Sequence, residues 1–277
     1  MERKVIFLDI DGTLTEPGKN VPPDSALEAV RKAREKGNLI YLCSGRNYAM
    51  LQPLLQYGFD GYIASSGGYI VAGDKVIFDS PMSDEDRRRA VEVLQKNGVF
   101  CTLESLHGTF SDERFKDFLR SAEDTDGMNS EMLRWRIQFE ESLHMVPLTQ
   151  YRGEPVYKMV LMCSRLSQLD EPQSVLKDRF LFSIPKDRLY GFVNAEVQSS
   201  LFDKGRGVRR VCEYLALPLE QSVGFGDSAN DLQMMQTVGF SVCMGNGAGE
   251  VKELADAVCG LVSEDGLYRA FEQYQLM

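Results

Sequence analysis

Two aspartates, one residue apart, close the segment VIFLDIDGTLT: Asp9 and Asp11 follow four apolar residues, Val5 to Leu8, and precede Gly12 and Thr13. Alternate residues of an extended chain point the same way, so both carboxylates can face one reacting centre with separate tasks. One can attack phosphorus to make an aspartyl-phosphate. The other can pass a proton to the leaving oxygen and then take one from the attacking water. Gly12 lets the backbone turn away sharply behind them. Taken alone, the same residues also fit a strand that ends in an Asp-Gly turn.

Polar residues follow three more apolar runs. LIYLC leads into Ser44-Gly45-Arg46, GYIA into Ser65-Ser66-Gly67-Gly68, and SVGFG into Asp227, Ser228, Asn230 and Asp231. In a doubly wound sheet, ligands bind outside the carboxyl ends of the strands, which is where these residues fall. Acidic side chains around a phosphate repel it unless a cation lies between. Mg²⁺ suits that place, since it takes a few carboxylates plus phosphate oxygens.

The elements that must position these residues alternate in the first third of the chain. VIFLDI, LIYLCSG and GYIASSGG read as strands. PPDSALEAVRKAREKGN and NYAMLQPLLQYG read as helices, and YIVAGDKVIFDS as a hairpin turning at Gly73-Asp74. Runs that are apolar throughout suit strands buried on both faces of a parallel sheet. The last third alternates again, with helices over DKGRGVRRVCEYLAL and NDLQMMQTV, strands over SVGFGD and FSVCMG, and closing helices over AGEVKELADAV and GLYRAFEQYQ. Between them the texture changes. Ser83 with Asp86 reads as a helix cap and Asn97-Gly98 as its stop, while VFCTLES and VYKMVLMCS read as strands. The expected architecture is a doubly wound α/β core, residues 1–81 and 187–277, with an α+β insertion over residues 82–186.

Composition narrows the function classes. The chain has 277 residues, 43% of them hydrophobic, and a formal net charge of −10, which argues against a nucleic-acid partner. No apolar run approaches the length of a membrane helix, and no leader pattern precedes the first strand. The six cysteines form no CxxC pair, so reduced, mostly buried thiols in the cytoplasm are expected.

DIDGT resembles the first motif, DxDGT, of the haloacid dehalogenase-like phosphatases. CSGR resembles the second motif, Lys204 in FDKGRGV the lysine of the third, GFGDSANDLQMM the acidic fourth, and MGNGAGEVKELAD the stretch that follows it. Their order and spacing, with a large insertion between motifs two and three, are similar to the Cof-type subfamily with a C2 cap. The resemblance implies that Asp9 is the nucleophile and a Mg²⁺ ligand. It makes Asp11 the acid/base, with its carbonyl on the metal, and Asp227 the third ligand, supported by Asp231 and Ser228. Ser44 and Lys204 would hold phosphate oxygens. The N–H groups of Ile10 and Gly45 and the Asn230 side chain would complete the cradle. The cap would close over the site and read the leaving group. Ser66-Gly67-Gly68 stands where the family usually has Asn-Gly-Ala, Ser199 and Leu201 where it has Pro-x-Gly, and Ala255 to Cys259 depart from its final pattern. These departures touch substrate choice.

Singly, Ser44 fits a helix cap, Lys204 a solvated lysine, Asn230-Asp231 a cap and Asp256 a surface helix residue. His107 and His144 fit structural roles, Trp135 and Phe139 pack one helical turn apart, and Arg87-Arg88-Arg89 fits a solvated face. The function expected is a Mg²⁺-dependent phosphatase acting on a sugar phosphate or phosphorylated cofactor. The alternatives are a phosphomutase, with Arg134 and Arg136 taking a second phosphate, and a non-catalytic metabolite sensor.

Overall fold

A computed structural model describes residues 2–112, 145–184 and 193–277. Arg134, Trp135, Arg136, Phe139 and His144 lie outside the described residues. The chain divides into two compact units, Met1–Arg46 with Met50–Asp79 and Phe202–Met277, and Asn47–Ala49 with Ser80–Leu201.

The strands of the first unit are β1 (Val5–Leu8), β2 (Leu39–Cys43), β3 (Gly61–Ala64), β4 (Tyr69–Ala72), β5 (Lys75–Asp79), β12 (Ser222–Gly226), β13 (Phe240–Cys243) and β14 (Ala257–Val258). They form one sheet in the order β14-β13-β12-β1-β2-β3-β4-β5. The pairs from β14 through β3 are parallel, and β4 and β5 turn back antiparallel. All four residues of β1 are fully buried, which explains why its sequence is apolar throughout rather than alternating. Val5 and Phe7 pack with Tyr41, Cys43, Ile63, Val208, Val211 and Met234 on one face. Ile6 and Leu8 point to the other face by the period-two alternation of a strand. The helices Asp24–Glu35 and Gly266–Gln273 pack on each other and bury Ala26, Ala29, Val30, Leu267 and Phe271. The four polar strand ends therefore belong to four neighbouring strands, β12, β1, β2 and β3, in the middle of the sheet.

The strands of the second unit are β6 (Phe100–Ser105), β7 (Thr109–Ser111), β8 (Met145–Pro147), β9 (Val156–Cys163), β10 (Phe180–Ser183) and β11 (Val193–Ser199), in the order β10-β11-β9-β6-β7-β8. Cys101, Leu103, Met159, Leu161, Ala195 and Val197 form its core with Ala90 and Leu94 of the helix Asp84–Lys96. Ser83 caps that helix as expected, its Oγ accepting the Asp86 N–H at 3.1 Å, and Gly98 ends it at φ +67°. Lys158 on β9 is fully buried and pairs with Glu196 at 2.7 Å and Glu104 at 3.4 Å.

Three expectations differ from what is observed. The expected core segment 187–277 takes in Val193–Ser199, yet that strand pairs antiparallel with both β9 and β10, so the second unit extends to Leu201. The closing helix over AGEVKELADAV stops at Leu254, and Ala257–Val258 joins the sheet edge beside β13. Asp256 drives that change: its carboxylate accepts the Ser241 N–H and Oγ–H, each at 2.8 Å, tying the segment to β13 instead of leaving it on a surface helix. Arg87 is not simply solvated, because its guanidinium lies 4.8 Å from the Tyr151 ring centroid. All six cysteines are free, five of them buried. Among the described residues no helix is long and apolar enough to cross a membrane.

Candidate active site

Asp9 follows β1 directly, and the chain then winds into a tight loop rather than continuing extended. Leu14 N–H donates to the Ile10 carbonyl at 3.0 Å and Thr15 N–H to the same oxygen at 2.9 Å. Gly12 sits in this loop at φ +84°, where a Cβ would stand 2.4 Å from Asp227 Oδ2. Both the conformation and the space demand glycine. Gly12→Ala is expected to lower stability by roughly 2 kcal/mol or more, read by urea denaturation, because strained backbone and an overlap with Asp227 add.

Asp227 and Asp231 come from the loop after β12. Asp231 Oδ2 accepts the N–H groups of Asp227 and Ser228, each at 3.0 Å, which folds the acidic loop back on itself. One oxygen atom from each of Asp9, Asp227 and Asp231 lies within 4.8 Å of the others, and all three residues are buried. Lys204 meets them from the first turn of the helix Lys204–Leu215, whose start is fixed by Asp203 accepting the Arg206 N–H at 2.7 Å. Its ammonium donates to Asp9 Oδ1 at 2.7 Å, Asp231 Oδ1 at 2.6 Å and Asn230 Oδ1 at 2.9 Å.

Three carboxylates against one ammonium leave an excess of negative charge in a buried place. Burial first, and then repulsion from Asp231, push the Asp9 carboxyl up to about 8, although Lys204 pulls it down. Burial and the neighbouring Asp9 and Asp231 likewise hold Asp227 well above the usual carboxylate range. For Lys204, burial alone would lower the ammonium's proton affinity. Asp231 and Asp9 more than offset this, and it lies well above the usual lysine range. A divalent cation among the three carboxylates would supply the missing positive charge, so the donor set fits Mg²⁺.

Asp11 stands apart from this triad. Its carboxylate is held by Arg46, with Nε donating to Oδ2 at 2.8 Å and Nη2 to Oδ1 at 2.7 Å, and Gly18 N–H donates to Oδ1 at 2.8 Å. The pair is sealed from solvent, with Arg46 0% and Asp11 1% exposed. Arg46 also donates to Asn20 Oδ1 at 2.7 Å. Asp9 Oδ1 thus accepts from Lys204 while both Asp11 oxygens accept from Arg46, yet Asp11 is near enough to raise the proton affinity of Asp9 and Asp227 by repulsion.

Ser44 is buried at the end of β2, where its Oγ accepts the Arg46 N–H at 3.2 Å. Among the described residues, the N–H groups of Ile10 and Gly45 donate to no backbone acceptor. Ser228 Oγ donates to Asn230 Oδ1 at 3.0 Å, steadying the amide beside Lys204. Two contacts were not legible in the sequence. Thr13 Oγ1 donates to Asp227 Oδ1 at 3.3 Å, and Asn246 Nδ2 donates to the Gly12 carbonyl at 2.8 Å. Both residues lie within quoted motif stretches, but nothing in those stretches says which partner each would take.

A mostly parallel sheet whose central strand ends carry an acidic triad bonded to a buried lysine fits a phosphoryl-transfer type of α/β hydrolase. The family described as haloacid dehalogenase-like hydrolase matches residues 6–271, and the chain belongs to that family, among its Cof-type phosphatases. It is 35% identical to the 5-amino-6-(5-phospho-D-ribitylamino)uracil phosphatase YitU of Bacillus subtilis (strain 168), covering 99% of each chain. It is 27% identical to the HMP-PP phosphatase of Serratia proteamaculans (strain 568), over 91% of this chain and 87% of that one. The solved structure of a HAD subclass IIB sugar phosphatase superposes with a TM-score of 0.77 at 26% identity, over 99% of this chain and 100% of that one.

Proposed function

We propose that this phosphatase is Mg²⁺-dependent and hydrolyses a small phosphorylated metabolite, a sugar phosphate or a phosphorylated cofactor, through an aspartyl-phosphate on Asp9. The observation that carries the reading is the buried triad of Asp9, Asp227 and Asp231 tied to Lys204. The three relatives named above act on different small phosphate esters by their names, which supports the class and leaves the individual substrate open.

Asp9 attacks phosphorus, the bond from phosphorus to the leaving oxygen breaks, and Asp11 supplies the proton that oxygen needs. Water then attacks the aspartyl-phosphate, Asp11 takes its proton, and the bond between phosphorus and Asp9 breaks to restore the carboxylate. Arg46 donates to both Asp11 oxygens, which favours the charged carboxylate and so opposes its protonated form. Lys204, Ser44, Asn230 and the N–H groups of Ile10 and Gly45 orient the phosphoryl oxygens and offset their growing charge. Asp9, Asp227 and the Asp11 carbonyl would hold Mg²⁺, supported by Asp231 and Ser228. When bound, the cation neutralises phosphoryl charge and aligns it with the nucleophile. Phosphate release from a panel of sugar phosphates and phosphorylated cofactors, with Mg²⁺ and with EDTA, tests the reading; release that persists in EDTA sinks it. The phosphomutase reading rests on Arg134 and Arg136, outside the described residues, and no observation favours it.

Folding stability gives an independent check. Asp9 keeps its proton up to about pH 8 when folded, against about pH 4 when unfolded. Its contribution in metal-free protein is therefore full below about pH 4 and is lost as pH rises through about 8. Mg²⁺ at about 100 times its dissociation constant is expected to add about 2.7 kcal/mol. That is a rise of roughly 5–10 °C in Tm, measured by calorimetry at pH 8 and reversed by EDTA.

A further inference from the structure

We propose that Ser65 and Ser66 recognise the hydroxyl-rich part of the substrate, the alcohol oxygens that lie next to its phosphoryl group. The inference rests on the phosphatase reading and narrows its substrate class to esters of sugars or other polyols. Ser65 and Ser66 follow β3 with φ of +49° and +56°, and Gly67 continues at +108°. Three successive left-handed residues are unusual, and a side chain is disfavoured at each. Glycine or asparagine would hold the same turn with less strain.

The two side chains are also unsatisfied. Ser65 is 0% and Ser66 3% exposed, and among the described residues neither Oγ has a hydrogen-bond partner. A buried hydroxyl is normally bonded, so two adjacent orphans in a strained turn call for an external partner.

Their surroundings locate that partner. Ser66 N–H donates to the Ser44 carbonyl at 3.0 Å and Ser65 N–H to the Arg46 carbonyl at 2.8 Å. On the other side, a Cβ on Gly67 would stand 2.4 Å from the Asp203 carbonyl oxygen, one residue before Lys204. The turn thus packs on the backbone of Ser44 and Arg46 on one side and of Asp203, the residue before Lys204, on the other. A hydroxyl both donates and accepts, which matches an alcohol; a second anion would call for lysine or arginine there.

The test compares kcat/KM for aldose and alditol phosphates with that for p-nitrophenyl phosphate, which has no alcohol hydroxyl. The variants are Ser65→Gly, Ser66→Gly and the double change, since glycine keeps the left-handed backbone and removes the hydroxymethyl side chains. The ratio of polyol phosphate to p-nitrophenyl phosphate is expected to fall at least about tenfold in the double variant, with Tm unchanged or higher. A ratio that does not move, whether both rates fall together or neither falls, overturns the inference. A wild type that cleaves p-nitrophenyl phosphate but no polyol phosphate overturns it while the phosphatase reading stands. A wild type that cleaves neither overturns that reading and the inference with it.

Discussion

Asp9→Asn is expected to abolish phosphate release, by at least about 10³-fold in kcat, while the protein stays folded. The amide keeps the shape of the carboxylate and can still accept from Lys204 Nζ, which lies 2.7 Å from Asp9 Oδ1. It removes a charge that burial and Asp231 disfavour. In metal-free protein at pH 8 the variant is therefore expected to melt no lower than wild type, and the Mg²⁺-induced rise in Tm is expected to shrink. Steady-state release assays and calorimetry on the same samples separate the two effects. Release that survives the change would sink the mechanism, because Asp227 and Asp231 cannot replace the nucleophile from the loop after β12.

Arg46→Met is the second large expected effect. The guanidinium and Asp11 form a bidentate pair, with Arg46 0% and Asp11 1% exposed. Removing one member leaves the other charge buried without its counter-ion, a loss of about 3–5 kcal/mol. Adding Asp11→Asn to the same chain removes the orphaned charge, and most of that stability is expected to return. A double-mutant cycle by urea denaturation reads the coupling directly. Additive losses would show that the pair contributes only its separate packing.

Much of the site was legible because its groups are delivered in short contiguous stretches. DIDGT, CSG, DKG and GDSAND each pair a strand end or helix start with the side chain it carries, so local pattern and chemistry coincide. Lys204 could be placed with the acidic residues only with the other motifs beside it, since its bonds to Asp9 and Asp231 span 195 and 27 residues. The Arg46–Asp11 pair was not legible. The i, i+2 spacing of Asp9 and Asp11 says nothing of a guanidinium delivered from 35 residues further along the chain. The core sheet was legible because β1, β2 and β3 are apolar runs bounded by glycine or polar turns. β11 was assigned to the wrong side of the second boundary because it alternates (VNAEVQS) and its partners, β9 and β10, are fixed only by tertiary pairing. β14 is two residues long, and its place depends on Asp256 reaching Ser241, a contact that no periodicity encodes.

The ammonium of Lys204 has three N–H bonds, and Asp9, Asn230 and Asp231 take one each. An arriving phosphoryl oxygen can bond to this lysine only as one of those three acceptors lets go. If Lys204 binds the phosphoryl group as proposed, capture is an exchange, and the carboxylates stand ready to reclaim the ammonium once the ester is cut. Under the proposed mechanism inorganic phosphate would then leave a site that already contains its own substitute anions, which would work against retention of the product.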